Sequence, residues 1–286
     1  MASQMSSAWA AVVVIVSSLL AVALSHDEGG GPSFGYTPGT PDGPENWGKL
    51  SPAYKACGDG KAQSPIDIVI ANAVPNPNLD TLTRVYAPSN ATLHNTGKDI
   101  VMSFEQGGEP VMPGSINVTT ADGTVKEFKL KMIHWHAPGE HTVNGKRFPL
   151  ELHMVHVDDQ DHKAVIGILY EIGNPDPFYD QLTEKLRELK TTPTVAAGVV
   201  ELKSLQKRTG SYFRYMGSLT TPPCTEKVMW NILGKGRELS QEQLQLITAP
   251  LPHQDNRPPQ PLNGRQVAFY NPPNTTISIQ SLVLPP

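Results

Sequence analysis

Two short runs constrain this chain more than anything else in it: His134-Trp135-His136, and Glu151-Leu152-His153 inside the apolar run from Leu150 to Val157. In an extended strand alternate side chains share a face, so His134 and His136 point one way and Trp135 the other, and Glu151 shares a face with His153. Residues 137–149 between the runs contain Asn144-Gly145, a dipeptide suited to a tight reversal. The second run then returns antiparallel to the first and brings His153 beside the pair. Three neutral nitrogen ligands suit Zn²⁺ and leave a fourth position for water, the pattern of a catalytic rather than a structural site. No anionic ligand cancels the metal's charge, so that water should be unusually acidic. Glu151 is placed to hold a ring N–H. His-x-His by itself usually marks packed or surface residues; the third histidine on a returning strand is what points to a metal.

The 286 residues can hold one large domain or two small ones, with a substantial core in either case. Charged residues are only 17%, and 27 Pro and 24 Gly punctuate many short apolar runs, which predicts a sheet protein with many turns rather than a coiled coil or a disordered chain. A net charge of −4 gives no case for nucleic acid or an anionic membrane surface.

Residues 1–25 differ from the rest. Ala8 to Leu24 carry no charge, and Ala23-Leu24-Ser25 resembles a small-x-small cleavage site, so the reading is a secretory signal cut after Ser25, with an uncleaved anchor as the alternative. An oxidising compartment would then permit Cys57 and Cys224 to pair, against the alternative of two separate thiols. One long closed loop constrains the unfolded chain by roughly 4 to 5 kcal/mol in the chain-entropy model. Asn90-Ala-Thr92, Asn117-Val-Thr119 and Asn274-Thr-Thr276 are acceptor sequons for glycosylation once the chain is secreted.

Residues 26–46, rich in Gly, Pro and acidic groups, read as an irregular arm. Strand-length runs follow at Ile66 to Val69, Ile100 to Phe104, Phe128 to His136, Leu150 to Val157 and Ala164 to Ile172. Pro177 to Lys190 has helical spacing, and Ser240 to Ile247 predicts a short helix behind a Ser cap. No repeat or linker is evident, which favours one domain, residues 26–286.

Gly43-Pro-Glu-Asn-Trp-Gly48, Gln63-Ser-Pro-Ile-Asp-Ile68, His134-Trp-His136, Glu140-His-Thr142, Glu151-Leu-His-Met-Val-His156, Gly217-Ser-Leu-Thr-Thr-Pro-Pro-Cys224 and Arg257-Pro-Pro-Gln-Pro-Leu262 together resemble an α-class carbonic anhydrase over residues 34–271, in the family's order. The secreted plant branch, including its tuber storage relatives the dioscorins, is the nearest match. The resemblance implies an α+β, sheet-dominated single domain around a large, twisted, mostly antiparallel β-sheet with the metal in a conical cavity. It implies a Cys57–Cys224 disulfide, Zn²⁺ on His134, His136 and His153, and reversible hydration of carbon dioxide to bicarbonate and a proton by a zinc-bound hydroxide. Val155, Val165, Leu219, Val228 and Trp230 match the apolar wall that holds CO₂, with Thr220 and Thr221 beside it. Glu140 matches the acid that accepts the Thr220 O–H, so that the threonine oxygen only accepts from the hydroxide and orients it. Glu151, His141 and Tyr36 match residues that brace the site from behind.

Departures matter as well. Lys98 stands where the family usually has a proton-shuttling histidine, and lysines ordinarily titrate near about 10.4, far from the metal water. The resemblance therefore implies slow, buffer-dependent turnover unless Lys98 is depressed or His94 substitutes. Met132 stands where a glutamine often holds the first zinc histidine, and Val101 replaces an amide in the wall. The alternative from another class is a storage or binding protein that keeps the fold with slight or no activity. A metal-free hydrolase has little support, since no Gly-x-Ser-x-Gly elbow occurs. Expected partners are carbon dioxide and bicarbonate, with no nucleic acid and no membrane after signal cleavage, in a monomer or homodimer. The expected location is extracellular, with the chloroplast stroma as another destination of the secretory route.

Overall fold

Strand-length apolar runs, most of them buried on both faces, build most of this molecule into one sheet. A computed structural model describes residues 32–120, 122–206 and 210–272, so the proposed signal segment and Asn274 lie outside the described residues. The principal strands are β1 (Val74–Pro75), β2 (Ser89–Asn95), β3 (Ile100–Gln106), β4 (Val125–His136), β5 (Leu150–Val157), β6 (Lys163–Ile172), β7 (Thr194–Val200), β8 (Tyr212–Ser218), β9 (Glu226–Leu233) and β10 (Ala268–Tyr270). They belong to a 14-stranded sheet whose main path runs β7-β2-β3-β4-β5-β6-β9-β8-β10-β1. Pairing along it is antiparallel except at β6–β9 and β10–β1, so the sheet is mixed but mostly antiparallel.

Strand β5 is buried over its whole length, on both faces. One face presents Leu150, Leu152 and Met154 to the larger apolar cluster, which also takes Ile133 and Trp135 from β4. The other presents Val155 to a second cluster with Val165, Val228, Trp230 and Phe213. Core lies on both sides, and β5 is the strand least able to shift, because a one-residue slip would exchange Glu151 and His153 with leucines and methionine. Gly167, opposite His153, fits this packing: a Cβ there would sit 2.6 Å from Ile232 Cδ1 and 3.0 Å from Glu151 Oε1.

Asn144 and Gly145, both at positive φ, do reverse the chain, but the hairpin they close joins Thr142–Val143 to Lys146–Arg147 in a separate 3-stranded sheet with Asp67–Ile68. Residues 137–149 as a whole make the return from β4 to β5. The helix expected over 177–190 is interrupted, forming Pro177–Asp180 and Thr183–Leu189. Gln241–Thr248 is helical behind Ser240, with a full capping box to Gln243. The described part of the N-terminal arm is irregular yet anchored: Phe34, Tyr36, Trp47 and Tyr54 pack around the Cys57–Cys224 disulfide, whose Cα atoms are 5.0 Å apart across 167 residues of sequence. No helix among the described residues is long and apolar enough to cross a membrane.

Candidate metal centre

Antiparallel pairing of β4 with β5 sets His153 opposite His134 and Glu151 opposite His136. One ring nitrogen from each of His134, His136 and His153 lies within 4.8 Å of the others, and all three rings are buried. His153 Nδ1 is 3.1 Å from His134 Nε2, close to the roughly 3.3 Å separating two ligands that sit about 2.05 Å from one tetrahedral ion.

The remaining nitrogens are held from behind. His136 Nδ1–H donates to the Asp255 carbonyl at 2.5 Å, which leaves Nε2 as a buried lone pair with no hydrogen-bond partner. His153 Nε2–H donates to Glu151 Oε1 at 2.8 Å, which turns its Nδ1 lone pair toward His134. Tautomers fixed in this way prepare imidazoles as ligands. The three nitrogens, two with their lone pairs committed inward and none replaced by a carboxylate, fit a divalent ion of the zinc type.

Glu151 is the hub of that support. Its Oε2 accepts the backbone N–H groups of Glu140 (2.8 Å) and His141 (2.7 Å), and its Oε1 accepts His141 Nδ1–H at 2.7 Å as well as His153. Burial alone would push this carboxyl up, but His141 and His153 hold it well below the usual carboxylate range. The chain continues outward: Tyr215 O–H donates to His141 Nε2 at 2.7 Å, and the Ser64 hydroxyl donates to Tyr215 at 2.8 Å. Ser64 Oγ in turn accepts from the Ser218 N–H, and the Ser218 hydroxyl accepts from the Ser64 N–H, which ties the network to the turn carrying Leu219, Thr220 and Thr221.

Glu140 Oε1 accepts the backbone N–H of Arg257 at 2.9 Å, while Oε2 lies 3.5 Å from His136 Nε2 and has no hydrogen-bond partner. The expected hydrogen bond from Thr220 to Glu140 is therefore not made, although both side chains are buried. Burial opposes a proton on His136, but Glu140, Asp255 and Asp99 outweigh it and push the ring up to about 9. The field of the site thus favours positive charge at His136 Nε2. Burial pushes Asp255 up to about 7, and burial with Asp99, Glu140 and Asp255 nearby pushes the Tyr36 phenol well above its usual range.

Val155, Val165, Val228 and Trp230 share one apolar cluster against which Leu219 and Met132 pack. Trp230 meets both His141 and His153, with ring centroids 4.8 Å apart in each case. Lys98 is half-buried in the bend between β2 and β3, with its Nζ 5.3 Å from the centre of the Phe34 ring. Asp255, Ser64, Tyr215 and the Arg257 amide carry no role that the sequence alone points to. Ser64 and Arg257 do fall inside the family-like runs, but a backbone carbonyl 119 residues beyond its histidine leaves no sequence signal.

A model of the eukaryotic-type carbonic anhydrases matches residues 42–271. The chain belongs to that family. Alpha carbonic anhydrase 7 of Arabidopsis thaliana is 40% identical over 248 residues, 84% of this chain and 85% of the relative. Dioscorin DB3L of Dioscorea polystachya is 36% identical over 262 residues, 90% and 93% of the two chains. Among solved structures, dioscorin complexed with ascorbate superposes with a TM-score of 0.79 at 35% identity, covering 85% of this chain and all (100%) of that one. The α-carbonic anhydrase from Thermovibrio ammonificans with sulfanilamide gives 0.74 at 36%, covering 84% and 100%. The large mixed sheet is thus the α-carbonic anhydrase fold in a single domain.

Proposed function

We propose that this chain is a zinc-dependent carbonic anhydrase that interconverts carbon dioxide and bicarbonate. The observation that carries the reading is the set of three buried imidazoles on β4 and β5, with His136 Nδ1 committed to Asp255 and His153 Nε2 to Glu151. His134 Nε2, His136 Nε2 and His153 Nδ1 are the atoms that would hold the metal. When bound, Zn²⁺ supplies a Lewis acid that brings the pKa of water to about 7, a value that belongs to carbonic anhydrases as a class.

The chain's own residues do the rest. Val155, Val165, Leu219, Val228 and Trp230 give CO₂ an apolar wall and keep bulk water from it. Thr220 and Thr221, buried in the turn after β8, belong to the same reaction, with the unpartnered Glu140 Oε2 as the acceptor proposed for the Thr220 O–H. Glu151, His141 and Tyr36 brace the ligands. In this reading residues 1–25 are a secretory signal and 26–286 the mature domain. Asn90 and Asn117, both exposed, together with Asn274 carry glycans, and the protein is an extracellular monomer or homodimer.

A second reading, a storage or binding protein of slight activity, draws on the missing Thr220–Glu140 hydrogen bond, on Met132 and Lys98, and on the dioscorin relatives. Stopped-flow CO₂ hydration by zinc-loaded and chelator-stripped protein separates the two. Hydration that depends on zinc supports the enzyme; bound zinc without hydration supports storage.

A further inference from the structure

Each CO₂ hydrated releases a proton that must leave the cavity, and the register of the sheet identifies a group able to take it. Thr194, His94, Val101, His134 and His153 are successive partners along one rung across β7, β2, β3, β4 and β5. Directly opposed residues project from the same face. His94 therefore stands on the face that carries the triad, two strand spacings or about 10 Å from His134. It is half-buried, within reach of solvent.

Its hydrogen bonds suit a group that changes charge. His94 Nε2 is 2.9 Å from Ser103 Oγ, and Nδ1 is 3.4 Å from Thr194 Oγ1. A hydroxyl donates or accepts, so the ring can carry one proton or two and keep both partners. The other described histidines outside the triad lack this freedom. His141 and His162 are tied to the carboxylates of Glu151 and Asp158. His156 is fully buried, and His253 faces two carbonyl oxygens that only accept. Lys98 is turned onto Phe34 of the N-terminal arm.

We propose that His94, rather than Lys98, carries the proton between the cavity and solvent, an assignment that rests on reading the chain as a CO₂ hydrase. Burial lowers His94 below the ordinary histidine value, and Glu105, the charge that faces it, offsets part of that. The ring is then mostly neutral and able to accept at neutral pH.

The test combines kinetics with a readout independent of turnover. In weak buffer, His94→Asn should lower kcat by about 10²-fold, the lower end of what positioned proton transfer contributes. It should lower kcat/KM far less and recover with added imidazole, whereas Lys98→Ala lowers kcat far less. In NMR of metal-free and zinc-loaded protein, the histidine resonance missing from His94→Asn should titrate with a midpoint below 6.5. That midpoint should fall further in Glu105→Gln. The assignment is overturned by the reverse ranking of the two variants, by equal loss of kcat and kcat/KM without imidazole rescue, or by a His94 resonance that does not titrate. Zinc-bound wild type that hydrates no CO₂ at any buffer strength overturns the functional reading and this assignment with it; that result is distinct because it shows in the parent protein.

Discussion

Glu151 and Glu140 are both fully buried, both within the candidate metal centre, and differently hydrogen-bonded. Glu151 accepts two backbone and two imidazole hydrogen bonds and braces His153. Glu140 accepts one backbone hydrogen bond and keeps Oε2 unpartnered beside His136 Nε2. A buried charge costs much unless it is paired and hydrogen-bonded. The first carboxylate meets that requirement within the protein. The second keeps an oxygen without such a partner beside His136, where the proposed metal and its water would sit. On the proposed function one site would hold a supporting acid and an acting one, separated by their partners and not by their burial.

The largest effect should follow from Glu151→Gln, which removes the charge and replaces one of the two oxygens that share four accepted hydrogen bonds with an NH₂ donor facing donors. Unfolding in urea should show a loss of about 3 kcal/mol or more, and competition with a chromophoric chelator a roughly 10–100-fold weaker zinc affinity, of the order seen when such supporting partners are removed. A variant as stable as the parent would erase the distinction between the two acids.

Glu140→Gln should do the opposite. Stability and zinc content stay near the parent's, while kcat/KM for CO₂ hydration falls by roughly 10²-fold, as for removal of one preorganised group that acts on the reacting atoms. Loss of zinc with activity per bound zinc unchanged would assign Glu140 to support instead.

The opposite face of β5 offers a pH test. Burial pushes His156 down to about 3, with Tyr86 O–H donating to its Nε2 at 2.8 Å. The folded pKa lies below the unfolded one, so below pH 6.5 the unfolded chain binds the proton that the fold excludes, and stability falls as pH drops from 6.5 toward 3. Between about pH 6.5 and about pH 5 this amounts to about 2 kcal/mol. Urea midpoints of wild type should show the decline, and His156→Gln should flatten it; an equal slope in the variant would place the acid sensitivity elsewhere.

The smallest effect should come from Met132→Gln, on the triad face two residues from His134. An amide acceptor in place of a thioether should raise zinc affinity by about 1 kcal/mol, the worth of one net hydrogen bond. Isothermal titration showing no gain would mean that His134 already has an adequate partner.

What could be read in advance follows from chemistry that repeats locally. Alternation along β4 and β5 placed three histidines and Glu151 on one face and Trp135 on the other, because the pleat leaves no other choice. The Ser240 cap and the irregular arm were legible for the same local reason. Asp255 was not, because a carbonyl has no residue signature and lies far along the chain from His136. Asn144-Gly145 reads correctly as a turn but is given too large a task by the sequence, since turn chemistry sets the reversal and not which strands it joins. The Thr220–Glu140 contact depends on placement of a turn to a fraction of a hydrogen-bond length, which spacing does not encode.

The triad as a zinc site that hydrates CO₂ is the central claim. Zinc content and stopped-flow hydration, measured on the same samples of wild type and His153→Ala, test it most directly. The expected result is about one zinc per wild-type chain with hydration, as for three protein ligands around one open metal site, and loss of both in the variant. Wild type that binds no zinc, or His153→Ala that hydrates CO₂ as fast as wild type, would contradict it.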